Sequence, residues 1–189
     1  AQILLKGGSA ADAAMAMMLA LTVVEPQSSG IGGGGFLVHF DAKKDKLSTV
    51  NGRETAPAAA LPTRFMGADG KPLPFLQAFP GGKSVGVPGN VALMAMAHGK
   101  WGKVKWAELF KPAIRLAEKG FVVNKTMESR LQMVERLWPQ FDKARSIYWV
   151  NGKPATAGMS LRNPELAKTL RALAKAGPDA FYKGAIAKD

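Results

Sequence analysis

The sequence predicts an α+β fold. Three features carry that reading. An apolar helix lies close to the start, a β-hairpin directly follows a run of glycines, and helices dominate the second half after a long Pro- and Gly-rich stretch.

Ala1 to Lys6 already read as structured. Ser9-Ala10-Ala11-Asp12 then has the pattern of a helix start, with Ser9 as N-cap and Asp12 reaching back to it. The helix runs to about Val24 and is stopped near Pro26. Its residues from Ala13 to Leu21 are apolar on every side, which marks a helix buried in a core or in a membrane. A span needs about 20 apolar residues, so burial inside a larger protein is expected, with Met15, Met17 and Met18 as core filler. Ser28 to Gly35 follows, a stretch with little side-chain bulk that permits positive φ and a close approach to another chain or a ligand. Strands at Phe36–Phe40 and Leu47–Val50, joined by the polar loop Asp41–Asp45, make the hairpin. Residues 57–88 read as a loop-dominated excursion.

The helices come next. One runs from Asn90 or Val91 to His98, one from Trp106 to Lys119 closed by Gly120, and one from Thr126 to Trp138 ended by Pro139. Asn163-Pro164 is a cap followed by proline at the first helical position. The helix it opens places Leu166, Leu170 and Leu173 on one face and ends at Gly177-Pro178. Ala185 to Asp189 stop within a further helix. The chain thus divides into a helix, glycine loop and hairpin (1–56), a loop-rich part (57–88) and a mainly helical part (89–189).

With 189 residues the chain can bury a real core, roughly 70% of its unfolded surface for a domain of this size. Its hydrophobic content of 47% excludes a disordered chain. Cysteine is absent, which rules out disulfides and thiolate metal sites but does not fix the compartment. The net charge is +12, and residues 100–189 hold 18 Lys and Arg against 8 Asp and Glu. Such an excess can attract nucleic acid, anionic membrane or small anions. The lysines stand singly, however, with no interleaved aromatics or zinc-finger spacing, so a solvated basic face is expected and no nucleic-acid partner. Neither end resembles a natural terminus, and the chain is expected to be a piece of a longer one, with any signal peptide before Ala1.

Several motifs match by letter only. Gly30-x-Gly32-x-x-Gly35 fits the dinucleotide-binding string, but a helix precedes it and a strand follows, the reverse of what that site needs. Gly81-Gly82-Lys83-Ser84 resembles the end of a Walker A loop, yet Gln77 stands where the leading glycine belongs. His39 and His98 are the only histidines and form no zinc-binding string. Ser28 and Ser29 match no nucleophile elbow, and Asn124-Lys125-Thr126 is a glycosylation sequon by letter. No metal and no cofactor is expected. Arg53 differs. It follows the hairpin in Asn51-Gly52-Arg53-Glu54-Thr55-Ala56-Pro57, where a guanidinium beside a glycine loop can hold a carboxylate by two parallel hydrogen bonds. The competing reading is a structural pair with Glu54 or another acid.

Taken together, these strings resemble the γ-glutamyltransferase (γ-glutamyltranspeptidase) family. Gly7-Gly8-Ser9-Ala10-Ala11-Asp12-Ala13-Ala14 is similar to its first-helix signature, with Ser9 where Asn is commoner. Glu25 to Phe36 resembles its glycine loop, and Arg53-Glu54-Thr55-Ala56-Pro57 its most telling short motif. Gly86-Val87-Pro88-Gly89 and Gly177-Pro178-Asp179-Ala180-Phe181-Tyr182-Lys183-Gly184 also match, in family order along nearly the whole chain. The resemblance implies part of an N-terminal-nucleophile hydrolase with a four-layer αββα core, here the N-terminal part of the large subunit. In the family a precursor cuts itself in two, and the new N-terminal Thr of the small subunit attacks the γ-glutamyl amide, with its own α-amine as base. The acyl-enzyme passes glutamate to water, an amino acid or a dipeptide, and glutathione is the usual donor. Arg53 becomes the ligand of the donor α-carboxylate, and Gly30 to Gly35 packs close to the active site. A periplasmic or secreted location also follows from the resemblance.

The resemblance places the nucleophile, the oxyanion hole and most glutamate-binding residues in the small subunit. Thr22, Thr49, Thr55, Thr63, Thr126, Thr156 and Thr169 lie inside elements or loops and offer no free α-amine, so no catalytic residue is assigned here. The alternatives are an amidohydrolase or cephalosporin acylase on the same scaffold, and a non-catalytic module that binds through its basic half.

Overall fold

A computed structural model describes residues 1–188. Asp189, expected in the last helix, lies outside the described residues. The short helix α1 (Gln2–Leu5) leads to α2 (Ala10–Val24). The expected capping box is present: the Ser9 hydroxyl accepts from the Asp12 N–H at 3.0 Å, and the Asp12 carboxylate accepts from the Ser9 N–H at 2.8 Å. Met15, Ala16, Leu19 and Val23 of α2 are buried, but Met17 and Leu21 are 61% and 40% exposed. This chain therefore covers only one side of a helix that is apolar all round.

The hairpin pairs β1 (Gly35–Asp41) with β2 (Lys46–Gly52) in antiparallel register, Gly35 opposite Gly52 and Asp41 opposite Lys46. It is longer than the sequence pattern suggests because glycines end both strands without breaking the ladder. Its inner face sets Leu37, His39 and Val50 toward the helices, and His39 stacks on Trp101 with ring centroids 4.3 Å apart. Its outer face presents Phe36, Val38, Phe40 and Leu47, each 58–71% exposed. The excursion from 57 to 88 is loop apart from α3 (Phe75–Ala78) and one 3₁₀ turn at Gly82–Ser84.

Helix α4 (Asn90–Trp101) packs on the hairpin and on α2, and it runs three residues past His98, through Gly99. Helix α5 (Trp106–Lys119) ends at Gly120, whose φ of 102° needs glycine. After the two-residue strand β3 (Phe121–Val122) comes α6 (Lys125–Met133), capped by the Asn124 side chain on the Met127 N–H at 2.8 Å. This helix stops five residues short of Trp138. The chain tightens instead into a 3₁₀ turn, Glu135–Gln140, that holds Pro139, whose ring disfavours α geometry in the residue before it.

Helix α7 (Asp142–Tyr148) and a small hairpin, β4 (Trp149–Val150) with β5 (Lys153–Pro154), follow. The turn Asn151-Gly152 has φ of 51° and 77°, the pattern of a type I′ turn. Strand β6 (Ser160–Leu161) returns to pair with β3. Helix α8 (Pro164–Ala176) has the expected Asn163 cap and buries Leu170 and Leu173 against α5. Arg171 pairs with Glu118, and Trp106 Nε1 donates to the Leu173 carbonyl at 2.9 Å. Helices α9 (Asp179–Tyr182) and α10 (Ala185–Lys188) complete the order. The core lies where α2, α4, α5 and α8 meet, around Leu19, Met94, Leu109, Phe110 and Leu170. Among the described residues no helix is long and apolar enough to cross a membrane.

Candidate active-site cleft

The chain leaves α2 at Glu25, whose carbonyl accepts the N–H groups of Ser28 and Ser29 at 3.0 Å each, and then runs through Gly30–Gly35 into β1. None of these loop glycines uses the positive φ that glycine permits. What fixes glycine here is close approach. A Cβ on Gly34 would stand 2.6 Å from the Gly52 carbonyl oxygen and 2.7 Å from the Glu54 nitrogen, and would overlap the Glu54 carboxylate. Gly32 faces open space, with nothing within 4 Å of the place its Cβ would take. Gly34→Ala is therefore expected to cost about 1–3 kcal/mol by overpacking. Gly32→Ala should stay within about 0.5 kcal/mol of the parent, as surface changes do. Denaturant midpoints measured on the complete protein check the contrast, and equal midpoints for both variants would refute it.

The loop is held from behind by the start of α4. The N–H groups of Gly89 and Asn90 both donate to the Gly33 carbonyl at 3.0 Å, and Asn90 Nδ2 donates to the Gly30 carbonyl at 2.7 Å. Thr55 and Val87 form a two-way backbone bridge at 3.3 and 2.8 Å, which ties the segment after β2 to Gly86–Gly89. The Tyr182 hydroxyl donates to the Pro88 carbonyl at 2.8 Å and accepts from the Ala92 N–H at 3.1 Å. Burial pushes that hydroxyl above its ordinary value, so it donates as a neutral phenol. Two motifs far apart in sequence, 86–89 and 177–184, thus meet behind the glycine loop.

Arg53 leaves the end of β2 at the rim of the same cleft. Its Nη1 donates to Glu54 Oε2 at 2.7 Å, the only ion pair it makes among the described residues. The structural pair is therefore present. The Arg53 side chain is nevertheless 63% exposed, and pairs that exposed are typically worth about 0–1 kcal/mol. The pair orients the guanidinium more than it stabilises the fold. The cleft measures about 610 Å³ and is lined by the glycine loop, Ser28, Ser29, Arg53, Glu54 and Asn90. It combines one guanidinium with a backbone that has no side chains in the way, so a ligand carboxylate can come close.

The cleft lining contains no threonine or histidine among the described residues. His98 is occupied with the Val104 carbonyl at 2.8 Å, and His39 with Trp101. No group of three or more His, Asp or Glu among the described residues is placed to hold a metal. The sequence singled out Arg53, the loop and Glu54 as a structural partner of Arg53, but not the contacts of Asn90 and Tyr182. The Asn90–Gly30 and Tyr182–Pro88 contacts join residues 60 and 94 positions apart, a separation that local pattern does not reveal.

Solved gamma-glutamyltranspeptidases share this fold, a helix-backed hairpin fed by a glycine loop, and so the chain is part of an N-terminal-nucleophile hydrolase. The gamma-glutamyltranspeptidase family model matches residues 1–189, and the chain belongs to that family. It is 40% identical over 188 residues to the glutathione hydrolase proenzyme of Bacillus subtilis (strain 168), covering 100% of this chain and 32% of that protein. Its structure superposes on the gamma-glutamyltranspeptidase of Helicobacter pylori with a TM-score of 0.93 and 33% identity, over 99% of this chain and 53% of that one. A cephalosporin acylase from Bacillus halodurans follows the same fold, with a TM-score of 0.81 and 29% identity over 99% of this chain and 35% of that one. The chain spans about a third of the length of the curated relatives it matches.

Proposed function

We propose that this chain forms part of a γ-glutamyltransferase that acts on glutathione and related donors, and that Arg53 binds the donor α-carboxylate. The exposed Arg53 guanidinium at the rim of the glycine-loop cleft, with one prong held by Glu54, carries this reading. The nucleophile is a threonine at the N-terminus of a small subunit cut from the same precursor. Its hydroxyl adds to the γ-carbonyl, its α-amine takes the proton, and the amide C–N bond breaks as the leaving amine is protonated. Water, an amino acid or a dipeptide then attacks the glutamyl ester and frees the threonine. The apolar outer face of the hairpin, Phe36, Val38, Phe40 and Leu47, is the surface a second sheet covers in a four-layer αββα sandwich. A periplasmic or secreted location belongs to the same proposal.

The likeness to the Bacillus halodurans acylase favours a second reading, an amidohydrolase of different donor choice. Donors with and without an α-carboxylate separate the two. The complete protein is expected to release p-nitroaniline from γ-glutamyl-p-nitroanilide and to do so poorly from the glutaryl analogue, which lacks the α-amino and α-carboxylate groups. Preference for the glutaryl compound would support the acylase, and no turnover of either would sink both readings. Residues 1–189 purified alone are expected to release none, because no threonine lines the cleft among the described residues and the nucleophile of this reading belongs to the small subunit. Turnover by the rigorously purified chain would place the nucleophile inside it.

A further inference from the structure

Asn90 is buried, yet it opens helix α4 at the back of the cleft rather than in the core. It grips the glycine loop twice. Its backbone N–H holds the Gly33 carbonyl at 3.0 Å, and its Nδ2 holds the Gly30 carbonyl at 2.7 Å. Its Oδ1 is buried without a hydrogen-bond partner and lies 3.0 Å from the place a Cβ on Gly35 would occupy. The amide is thus oriented by its donor side, since a carboxylate of the same shape would set oxygen against the Gly30 carbonyl oxygen.

The loop so gripped is the wall behind Glu54. The Cβ position of Gly33 lies 3.6 Å from Glu54 Oε1, and the backbone at Gly34 abuts the same carboxylate. Glu54 in turn holds Arg53 at 2.7 Å. An unbroken series of contacts therefore runs from Asn90 through Gly30–Gly34 and Glu54 to the guanidinium. We infer that Asn90 is a positioning residue for donor binding, fixing the glycine loop so that the Glu54–Arg53 pair meets the donor α-carboxylate. This rests on the γ-glutamyltransferase reading above. Asn90 touches no reacting atom. Its effect passes through Arg53, and so its loss should matter only while Arg53 is present.

The test is a double-mutant cycle in the complete protein, read as kcat/KM on γ-glutamyl-p-nitroanilide and on glutaryl-p-nitroanilide. Asn90→Ala and Asn90→Asp should each lower kcat/KM on the γ-glutamyl donor by about 10- to 100-fold, the range that a misplacement of about 1 Å produces. Most of the loss should fall in KM, and the glutaryl donor should be affected far less. In an Arg53→Ala background, Asn90→Ala should cost no more than about twofold further, because two residues acting through one contact do not add. Equal losses on both donors, or additive losses in the double variant, would show a merely structural role and overturn the inference. Full activity of Asn90→Asp would overturn it as well. A wild-type protein inactive on the γ-glutamyl donor would instead sink the functional reading and this inference with it.

Discussion

In the complete protein, Arg53→Ala is expected to lower kcat/KM for γ-glutamyl donors by roughly 30-fold to several thousandfold. That range converts the loss of one member of a hydrogen-bonded charge pair, about 2–5 kcal/mol, at about 1.4 kcal/mol per tenfold. The geometry decides where in the range the result falls. With only this chain around it the guanidinium is 63% exposed, and water would screen much of the attraction. A loss near the upper end requires the rest of the protein to close over the cleft. Folding should hardly change, because the exposed pair with Glu54 is worth about 0–1 kcal/mol. Arg53→Lys should recover only part of the activity, since a point-charge ammonium cannot reproduce the planar, two-pronged geometry of the guanidinium. The glutaryl donor provides the control. The wild type should strongly prefer the γ-glutamyl compound, and Arg53→Ala should scarcely distinguish the two. A lowered melting temperature with equal losses on both donors would make Arg53 a structural residue.

What the sequence disclosed about this molecule depended on how local the cause was. The capping box at Ser9 and Asp12, the Asn163-Pro164 start of α8 and the glycine after α5 are settled within a few residues, and all three stand in the structure. The hairpin was legible because strands and turn are contiguous. The α6 boundary was not, because a 3₁₀ turn accommodates Pro139 where the pattern suggested a longer helix. The type I′ turn at Asn151-Gly152 has a purely local cause, its Asn-Gly pair. The glycine loop shows the difference most clearly. Its lack of side-chain bulk was readable from composition, but the contacts that need it were not. Gly34 and Gly35 are required by Gly52, Glu54 and Asn90, which reach the loop from 18 to 55 residues away, and not by their own backbone angles. Arg53 and its neighbour Glu54 could both be singled out from the motif, and coordinates were needed only to show that the two pair.

Asp12 joins a local cause to a distant one, and its replacement should have the largest effect on stability. The carboxylate is fully buried, and its Oδ2 accepts from the Ser9 N–H at 2.8 Å, the Ser9 hydroxyl at 3.1 Å, the Lys103 N–H at 2.8 Å and the Val104 N–H at 3.3 Å. It therefore caps α2 and also fastens that helix to the turn between α4 and α5. Asp12→Ala should cost about 2.5–4 kcal/mol, from a cap worth about 1 kcal/mol and long-range charge-assisted bonds worth about 1.5–3 kcal/mol. Asp12→Asn, which keeps the shape and loses the charge, should cost less. The pH dependence separates charge from shape. Burial by itself pushes the carboxyl up, but the donors on Oδ2 outweigh it and hold it below its ordinary value of 3.8. A carboxyl depressed by folding stabilises the native state fully above its unfolded value of about 3.9 and ceases to do so as pH falls through the lower folded value. The wild-type advantage over Asp12→Asn should thus be constant near neutral pH and shrink below about pH 4 as the two curves converge. Urea unfolding of the complete protein at a series of pH values measures this. Curves that stay parallel below pH 4 would mean that the charge contributes nothing and that Asp12 acts by shape alone.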